Sequence, residues 1–365
     1  MTTSFPRNDL YIKAREQGHS EEYIREILNY SNVLLSRNLP VIFSTKHLAQ
    51  LLGLKFHTLQ RIISNREDYY STFRIRKKHG TGTREIQVPM KELKHIQTWI
   101  NQHILVHVPL HDRCMSFRKG RSIKDNAAVH SGKPMIMQLD FYRFFDTITE
   151  QRVYGMFRSL GYHSNLAVDL AKLTTVPPSR NYETFIQKDR NKPADFYVTN
   201  SAFLPQGAVT SPLISNIIAK KLDHRLHKLT QAMGSEYTRY ADDITISGAK
   251  TCLPSMKLIE KIIKEEGFYL NKKKTRYRKT GQRQLVTGLT VTNGVHVPRK
   301  LKEEIRQHLY YCKKFGPFVH MQNRGIQSKS AYKDWLLGNI CFIHGIEPDV
   351  GKKLFAAFSE IDWVL

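Results

Sequence analysis

The stretch that decides the fold is EYTRYADDITISG, residues 236–248. Residues 237–240 are rich in β-formers, and ITIS alternates apolar with polar side chains, so the stretch predicts two short strands joined by a tight turn. The turn carries Asp242 and Asp243. Two adjacent carboxylates at a hairpin tip repel each other, and such a site favours divalent cations with hard oxygen ligands. Because aspartate is common in turns, a solvated turn is the alternative interpretation.

A second acidic centre strengthens the metal-binding interpretation. Residues 134–140, PMIMQLD, form a short and nearly continuous apolar run that ends on Asp140. Such a run after a proline is typical of a buried central strand. If this strand lies beside the hairpin, Asp140 and Asp242 can converge on metal ions about 3.5–4 Å apart, the arrangement used for in-line phosphoryl displacement. One ion would activate the attacking hydroxyl, and the other would stabilise the leaving pyrophosphate.

The balance of charge favours a nucleic-acid partner. The 365 residues carry a formal net charge of +25, and such an excess of Lys and Arg favours a polyanion. No stretch reaches the roughly 18 apolar residues of a membrane helix, and the N-terminus has no signal-peptide core. The cysteines are far apart and form no CxxC pair, which predicts reduced, largely buried thiols. We therefore expect a soluble cytoplasmic protein without a membrane partner.

The motifs resemble those of reverse transcriptases when they are taken together and in order. The blocks that carry this resemblance are LDFYRFFD at 139–146, LPQGAVTSPLISN at 204–216 and YADD at 240–243. Others are similar to the branch found in bacterial retrons, namely NAAVH at 126–130, VTG at 286–288 and FRIRKKHGTGTREIQVP at 73–89. A lone YADD motif would be weak evidence for this family, whereas several motifs in the same order are strong evidence for it.

The resemblance implies an α+β right-hand polymerase with fingers, a palm made of an antiparallel sheet with helices, and a small thumb. The expected domains are N-terminal helices and fingers at 1–135, the palm at 136–295 and a thumb of three helices at 296–365. A polar, proline-bearing stretch at 175–203 is interpreted as an insertion. It could bind RNA, contact a partner protein or be a tolerated surface loop, and the last is favoured.

The resemblance also assigns the chemistry. Asp140, Asp242 and Asp243 would be the catalytic residues and would hold two Mg²⁺ ions, with Asp243 as a ligand or a charge contributor. Phe145 would pack under the sugar of the incoming dNTP and exclude a 2′-hydroxyl, while Phe144 would pack in the core.

Basic and glycine-containing segments complete the expected nucleotide site. Arg84, with Lys77 or Lys78, would contact the triphosphate, as guanidinium and ammonium groups do. For the two lysines, a contact to the template backbone is an equal alternative. Gln206 and Gly207 would bracket the sugar and base at a helix start. Lys274 would lie near the departing pyrophosphate, although the choice among the lysines at 272–274 stays open.

Two retron-type motifs are expected to position RNA or primer. Asn126 and His130 are four residues apart and would fall on nearly one helix face. His130 could be a general base, an RNA contact or a structural hydrogen-bonder, and a structural or RNA-positioning role is favoured. Val286, Thr287 and Gly288 match the region that holds the primer terminus.

The N-terminal stretch LAQLLGLKFHTLQRII, residues 48–63, leaves one alternative open. It could be a helix-turn-helix that reads DNA. Amphipathic packing explains its leucines equally well, and nothing in it indicates base-reading side chains.

The leading hypothesis is a retron reverse transcriptase. The resemblance implies an RNA-directed DNA polymerase that copies part of its own structured non-coding RNA into a branched, RNA-linked single-stranded DNA, with an effector in anti-phage defence. Its partners would be that RNA, the RNA–DNA hybrid, the single-stranded DNA product and dNTPs. A nucleic-acid-binding scaffold or antitoxin-like partner of an effector is the second hypothesis. The third is a mobile-intron or diversity-generating reverse transcriptase.

Overall fold

The computed structural model describes residues 6–76, 83–179, 182–189, 191–197, 201–326 and 329–363. The chain divides into two units, each assembled from three separate segments. The first takes residues 1–117, 140–225 and 256–273, and the second takes 118–139, 226–255 and 274–365. The expected boundaries at 135 and 295 are a different partition, and they stay a prediction.

The strands form small antiparallel sheets. They are β1 (Tyr70–Arg76), β2 (Thr83–Pro89), β3 (Met135–Asp140), β4 (Glu236–Tyr240), β5 (Asp243–Gly248), β6 (Arg276–Lys279), β7 (Leu285–Val286) and β8 (Leu289–Thr290). The pair β1–β2 and the pair β7–β8 are separate, while the other strands share one sheet in the order β4-β5-β3-β6. The hairpin predicted at 236–248 is confirmed. Strands β1 and β2 pair antiparallel, from Tyr70 opposite Pro89 to Arg76 opposite Thr83.

The helices complete the α+β class that was predicted. They are α1 (Arg7–Glu16), α2 (Glu21–Ser36), α3 (Thr45–Leu51), α4 (Phe56–Ser64), α5 (Lys91–His103), α6 (Ile123–Val129), α7 (Glu150–Ser159), α8 (Ser164–Thr174), α9 (Tyr182–Gln187), α10 (Ser211–Ile218), α11 (Lys220–Ala232), α12 (Met256–Glu265), α13 (Arg299–Phe315), α14 (Pro317–Asn323), α15 (Lys329–Ile346) and α16 (Pro348–Ser359). None of the described helices is long and apolar enough to cross a bilayer.

A serine caps the N-terminus of α2. The side chain of Ser20 accepts a hydrogen bond from the backbone N–H of Tyr23 at 3.2 Å, which satisfies one free donor of α2. In the segment considered as a helix-turn-helix, the inner faces of α3 and α4 are buried at Leu48, Leu59 and Ile62. Burial of an amphipathic face therefore accounts for the apolar residues of this stretch.

In the second unit, the C-terminal helices share one core with elements from elsewhere in the chain. Apolar side chains of α13, α15 and α16 pack with Ala127 of α6, Ile136 of β3 and Val286 of β7. Each fully buried aliphatic side chain of this kind contributes roughly 1.5–3 kcal/mol to folding. The core therefore ties the NAAVH and VTG motifs to the helices that follow residue 298.

The expected set of three C-terminal helices was wrong, because the described residues there form α13, α14, α15 and α16. Gly316 adopts φ +79° between α13 and α14, and Pro317 begins α14. A positive φ ends the first helix at little cost for glycine, and proline is well suited to a first helical position.

The segment at 175–203 also differs from the expected surface loop. It contains α9, and Tyr182, Ile186 and Phe196 are each no more than 7% exposed. Buried aromatic and aliphatic side chains contribute to packing, so the segment is part of the first unit's core rather than a tolerated excursion.

The cysteines are free thiols, as the sequence predicted. Their expected burial holds for Cys114 and Cys312, whereas Cys252 is half-buried and Cys341 is exposed.

Two histidines face each other inside the C-terminal helices. Nδ1 of His308 lies 2.9 Å from Nε2 of His320, and it also lies 2.9 Å from the hydroxyl of Tyr332. Burial lowers the pKa of both imidazoles, and for His308 the neighbouring His320 and Arg324 lower the pKa further. The folded protein therefore favours neutral rings at this site.

We expect stability to fall as pH drops below 6.5, the ordinary pKa of these histidines. The unfolded chain takes up protons there that the folded pair resists, so stability is complete above that value and is lost below it. Thermal unfolding followed from about pH 8 to pH 5 measures this loss. The His320→Gln variant should show a shallower decline, whereas His57→Gln, at an exposed position of α4, should keep the parent slope. Identical slopes for both variants and the parent would contradict the assignment.

Candidate active site

The acidic hairpin has the tight turn that its sequence predicts. Tyr240 pairs with Asp243, so Ala241 and Asp242 alone form the turn. Ala241 adopts φ +56°, a left-handed conformation that residues with a Cβ adopt only when surrounding contacts impose it. Asp242 is half-buried and Asp243 is exposed, so these carboxylates are accessible from solvent.

One contact that supports this turn was not foreseen from the sequence. Arg239 of β4 is fully buried, and its Nη1 donates a hydrogen bond to the carbonyl of Ala241 at 3.0 Å. This bond holds the backbone on which Asp242 sits. The available signal was an arginine at an interior strand position, where a charge is costly to bury unless it is hydrogen-bonded.

The strand that ends on Asp140 is the sheet neighbour of the strand that begins with Asp243. The order β4-β5-β3-β6 places β3 directly beside β5. Apart from Asp140 itself, where the first unit resumes, these strands belong to the second unit. The condition on which the sequence argument depends, a strand pairing between β3 and the acidic hairpin, is therefore met.

The donors available at these strand ends suit a hard divalent cation. Asp140, Asp242 and Asp243 offer carboxylate oxygens, which Mg²⁺ prefers over nitrogen or sulfur. Asp140 and Asp242 are half-buried, and Asp243 is exposed. Across the described ranges, no three or more His, Cys, Asp or Glu side chains are arranged as a preformed metal site. The carboxylates of these three residues therefore match the oxygen ligands that Mg²⁺ prefers, and their assembly into one metal site stays a prediction.

The loop after Asp140 is anchored by stacked aromatic rings. Phe144 is 3% exposed and packs in one cluster with Phe141 and Phe268, with ring centroids 5.2 and 5.4 Å away. Its predicted place in the core is confirmed. Phe145 is half-buried and packs edge-on against Phe144, with centroids 5.5 Å apart. The assignment of Phe145 to the sugar of the nucleotide stays a prediction.

The Gln206–Gly207 segment is joined to the β1–β2 hairpin of the first unit. The carbonyl of Gln206 accepts a hydrogen bond from the backbone N–H of Gln87 at 2.8 Å. Gly207 has φ +123°, and a Cβ there would lie 2.9 Å from the carbonyl oxygen of Gln87. Glycine is therefore required at this position by the close approach of the β2 backbone.

Helix α10 begins at Ser211 after this segment and ends before Ala219, and α11 begins at Lys220. Because α10 begins at Ser211, Gly207 is not at a helix start, contrary to the expectation.

Two of the basic residues assigned to the triphosphate and pyrophosphate, Arg84 and Lys274, occupy exposed positions. Arg84 lies on β2 opposite Ile75. Lys77 and Lys78 lie outside the described residues. Lys274 ends a short 3₁₀ turn that begins at Lys272, and Lys272 forms an ion pair with Glu260 at 2.8 Å. That ion pair engages Lys272 on the protein surface. Which of the lysines at 272–274 lies near the pyrophosphate stays open.

The NAAVH and VTG motifs are in contact within the second unit. The contact joins Asn126 to Thr287, which are 161 residues apart along the chain. Asn126 of α6 is 1% exposed, and its Nδ2 donates to the hydroxyl of Thr287 at 3.4 Å. Its buried Oδ1 has no partner among the described residues. Thr287 and Gly288 adopt φ +46° and +81° in the turn between β7 and β8.

Val286 belongs to the core of the second unit and is fully buried. The predicted primer contact is therefore not made by its side chain. For the remaining VTG residues, Thr287 and Gly288, a contact to the primer terminus stays a prediction.

His130 has a structural position. It is fully buried, and its Nδ1 and Nε2 lie 2.7 Å from the hydroxyls of Ser247 and Thr238, respectively. These hydroxyls belong to β5 and β4, so one imidazole joins both strands of the acidic hairpin. A direct RNA contact by this side chain does not fit its burial, and the structural alternative is the one that fits.

Comparisons with known proteins agree with this architecture. The family described as reverse transcriptase (RNA-dependent DNA polymerase) matches residues 75–291. The retron Mx162 reverse transcriptase of Myxococcus xanthus is 32% identical over 341 residues, covering 87% of this chain and 67% of the relative. The retron Ec86 reverse transcriptase of Escherichia coli is 30% identical over 341 residues, covering 91% of this chain and 94% of the relative.

A solved structure of telomerase from Candida albicans, in complex with a fragment of telomeric RNA, aligns with a TM-score of 0.45 and 10% identity. The alignment covers 80% of this chain and 63% of the telomerase chain.

The sheet with its acidic hairpin and the family match define an RNA-directed DNA polymerase. The chain belongs to the retron branch of the reverse transcriptases. Members of the reverse transcriptase family generally use divalent metal ions, and they act on RNA templates with nucleotide substrates. The retron relatives favour this branch over the mobile-intron and diversity-generating alternatives.

We expect His130→Leu to destabilise the protein by roughly 2–5 kcal/mol, because two buried hydroxyls would lose their partner at about 1–3 kcal/mol each. Urea unfolding measures the change. Replacing the partners as well, in His130→Leu/Thr238→Val/Ser247→Ala, should recover part of the loss, since no buried polar atom is then left unpaired. A single variant as stable as the parent would show that the two bonds to the hairpin are not made.

Proposed function

We propose that this chain copies part of a structured non-coding RNA into single-stranded DNA that stays linked to the RNA as a branched product. Synthesis starts from a 2′-hydroxyl of a guanosine within that RNA. The observation that carries the proposal is the pairing of β3 with β5, which brings the strand ending on Asp140 next to the strand that follows Asp242. Membership of the retron reverse transcriptases supports the choice of template and product.

The proposed site uses the side chains described above. Asp140, Asp242 and Asp243 hold two Mg²⁺ ions through their carboxylate oxygens. When bound, the ions activate the attacking hydroxyl and neutralise charge on the pyrophosphate. Arg84 donates guanidinium hydrogen bonds to the triphosphate. Lys274 contributes positive charge near the pyrophosphate, which stabilises the charge that develops as the bond breaks.

Substrate choice is assigned to the loop after Asp140 and to the segment before α10. In this proposal the ring of Phe145 lies against the deoxyribose and leaves no room for a 2′-hydroxyl. Gln206 and Gly207 bracket the sugar and base from the other side, held by the bond of Gln206 to Gln87. Discrimination is then steric, so it depends on how firmly Phe145 is held.

The RNA is proposed to bind through charge and through the paired motifs. The excess of basic residues attracts the phosphate backbone, and exposed Arg306, Lys313 and Lys314 on α13 supply part of it. Thr287 and Gly288 position the RNA or primer, and the buried Asn126 serves this role through its hydrogen bond to the hydroxyl of Thr287. His130 serves this function indirectly, by holding the hairpin.

The proposed setting is anti-phage defence in the cytoplasm, together with an effector protein. The free thiols suit a reducing compartment. Sequencing the nucleic acid that co-purifies with the protein tests the product directly. Linked RNA and DNA would support the proposal, whereas unrelated cellular RNA would oppose it.

Asp242→Asn should lower DNA synthesis on the cognate RNA by at least roughly 100-fold, because the amide keeps the shape of the side chain but loses the charge that holds the metal. RNA affinity, measured by filter binding, should stay at the parent level. Asp334→Asn, an exposed position on α15, is the matched control and should retain synthesis. Polymerisation by the Asp242 variant at the parent rate would overturn the metal assignment. If that inactive variant still provides the full cellular function, the scaffold hypothesis is favoured.

Phe145→Ala should increase incorporation of ribonucleotides by roughly tenfold or more, since a site that rejects a group by steric exclusion loses that selectivity when the blocking ring is removed. Single-nucleotide extension with matched dNTP and rNTP measures the ratio. Phe318→Ala removes an exposed ring from α14 and should leave the ratio unchanged. An unaltered ratio for the Phe145 variant would refute its assignment to the sugar.

A further inference from the structure

The segment at 176–203 is closed at its base and attached beside the loop that follows Asp140. Val176 and Phe203 exchange backbone hydrogen bonds of 2.9 and 3.0 Å. Next to this closure, the backbone N–H of Glu150 donates to the carbonyl of Ala202 at 2.7 Å. Both ends of the segment are therefore fixed to the chain within a few residues of the loop 141–147.

Within this segment, a buried tyrosine, Tyr182, contacts the loop 141–147. Tyr182 is 7% exposed, and its hydroxyl donates to Oδ2 of Asp146 at 2.8 Å. The same oxygen accepts a hydrogen bond from Nε of Arg143 at 2.6 Å, and the Arg143 guanidinium lies 5.3 Å from the centroid of the Tyr182 ring. Burial and the charge of Asp146 raise the pKa of Tyr182, so its phenol stays protonated and able to donate.

A second contact joins the far end of α9 to the same loop. The hydroxyl of Tyr142, which is 3% exposed, donates to Oδ2 of Asp189 at 3.0 Å. The Tyr142 ring also packs edge-on against Phe196, with centroids 5.1 Å apart. Residues of the segment therefore contact the loop on both sides of Arg143.

The backbone of the loop needs such support. Arg143 adopts φ +48°, a left-handed conformation that costs energy for any residue with a Cβ and persists only when its surroundings impose it. Burial alone would lower the pKa of Arg143, but Asp146 and Tyr182 together more than offset that effect and raise the pKa, so the guanidinium stays charged. The charged pair Arg143–Asp146 spans Phe145, so the contacts that hold the pair also fix the backbone that carries that ring.

We propose that Tyr182 and Asp189 are positioning residues for the loop 141–147 and that, through it, they set the discrimination between dNTPs and rNTPs. The proposal rests on the assignment of Phe145 to the sugar of the nucleotide. Steric exclusion of a single hydroxyl requires the ring to be held within a fraction of an ångström, and displacements of about 1 Å alter rates strongly. The segment 176–203 supplies that restraint from outside the palm motifs.

The test compares Tyr182→Phe, which removes only the hydroxyl, with Tyr197→Phe, the same change at a position of the segment that is 78% exposed. In single-nucleotide extension, the Tyr182 variant should lower the ratio of kcat/KM for dNTP over matched rNTP by roughly three- to tenfold, chiefly by improving use of the rNTP. The Tyr197 variant should keep the parent ratio. An equal loss of kcat/KM for both nucleotides, with no change in the ratio, would mean a structural role alone and would overturn the proposal.

Asp189 provides a second arm with a conservative rescue. Asp189→Ala removes the acceptor for Tyr142 and should lower the ratio, whereas Asp189→Asn keeps a carbonyl acceptor and should restore most of it. A ratio at the parent level in Asp189→Ala would exclude a role for this contact.

The Phe145→Ala background separates this inference from the assignment on which it rests. Because both changes act through one ring, Tyr182→Phe should have no further effect on the ratio in that background. If Phe145→Ala relaxes the ratio and Tyr182→Phe does not, this inference fails and the role of Phe145 stands. If Phe145→Ala itself has no effect, both fail. A Tyr182 variant that loses RNA affinity while keeping the ratio would instead assign the segment to RNA binding.

Discussion

The site depends on holding two neighbouring carboxylates at the tip of a hairpin, one in its two-residue turn and one at the start of β5. Asp242 and Asp243 repel each other, and the turn also contains Ala241 in a left-handed conformation. Buried hydrogen bonds in the strands of the hairpin offset these costs. Arg239 donates to the carbonyl of Ala241, and His130 joins both strands through their hydroxyls. These contacts are buried, so they keep their strength and prevent the hairpin from relaxing away from the geometry that its charges oppose.

Local pattern was sufficient for the parts of the fold in which pattern and packing agree. The alternation around the YADD turn and the apolar run before Asp140 predicted strands that the structure contains, because each strand is short and has a clear polar or acidic end. The short helix α14 was not predicted, because its seven residues are too few to show a periodic apolar pattern.

Long-range pairing lay beyond what periodicity reports. The partners of His130 are hydroxyls more than 100 residues away along the chain, and no local signal identifies them. The same holds for Asn126 and Thr287, which the sequence associates only through a resemblance of motifs. The polar composition of 175–203 suggested a surface loop, but a few aromatic residues, above all Tyr182 and Phe196, were enough to bury it. Composition averages over a segment, whereas burial depends on individual side chains.

The missing Cβ at residue 207 has a mechanical consequence. A Cβ at this position would lie only 2.9 Å from the carbonyl oxygen of Gln87. The backbone N–H of the same Gln87 donates a hydrogen bond to the carbonyl of Gln206, so the two backbones are in close contact. Any side chain at residue 207 would therefore force the β2 backbone away from the segment that precedes α10 and strain the hydrogen bond between Gln87 and Gln206.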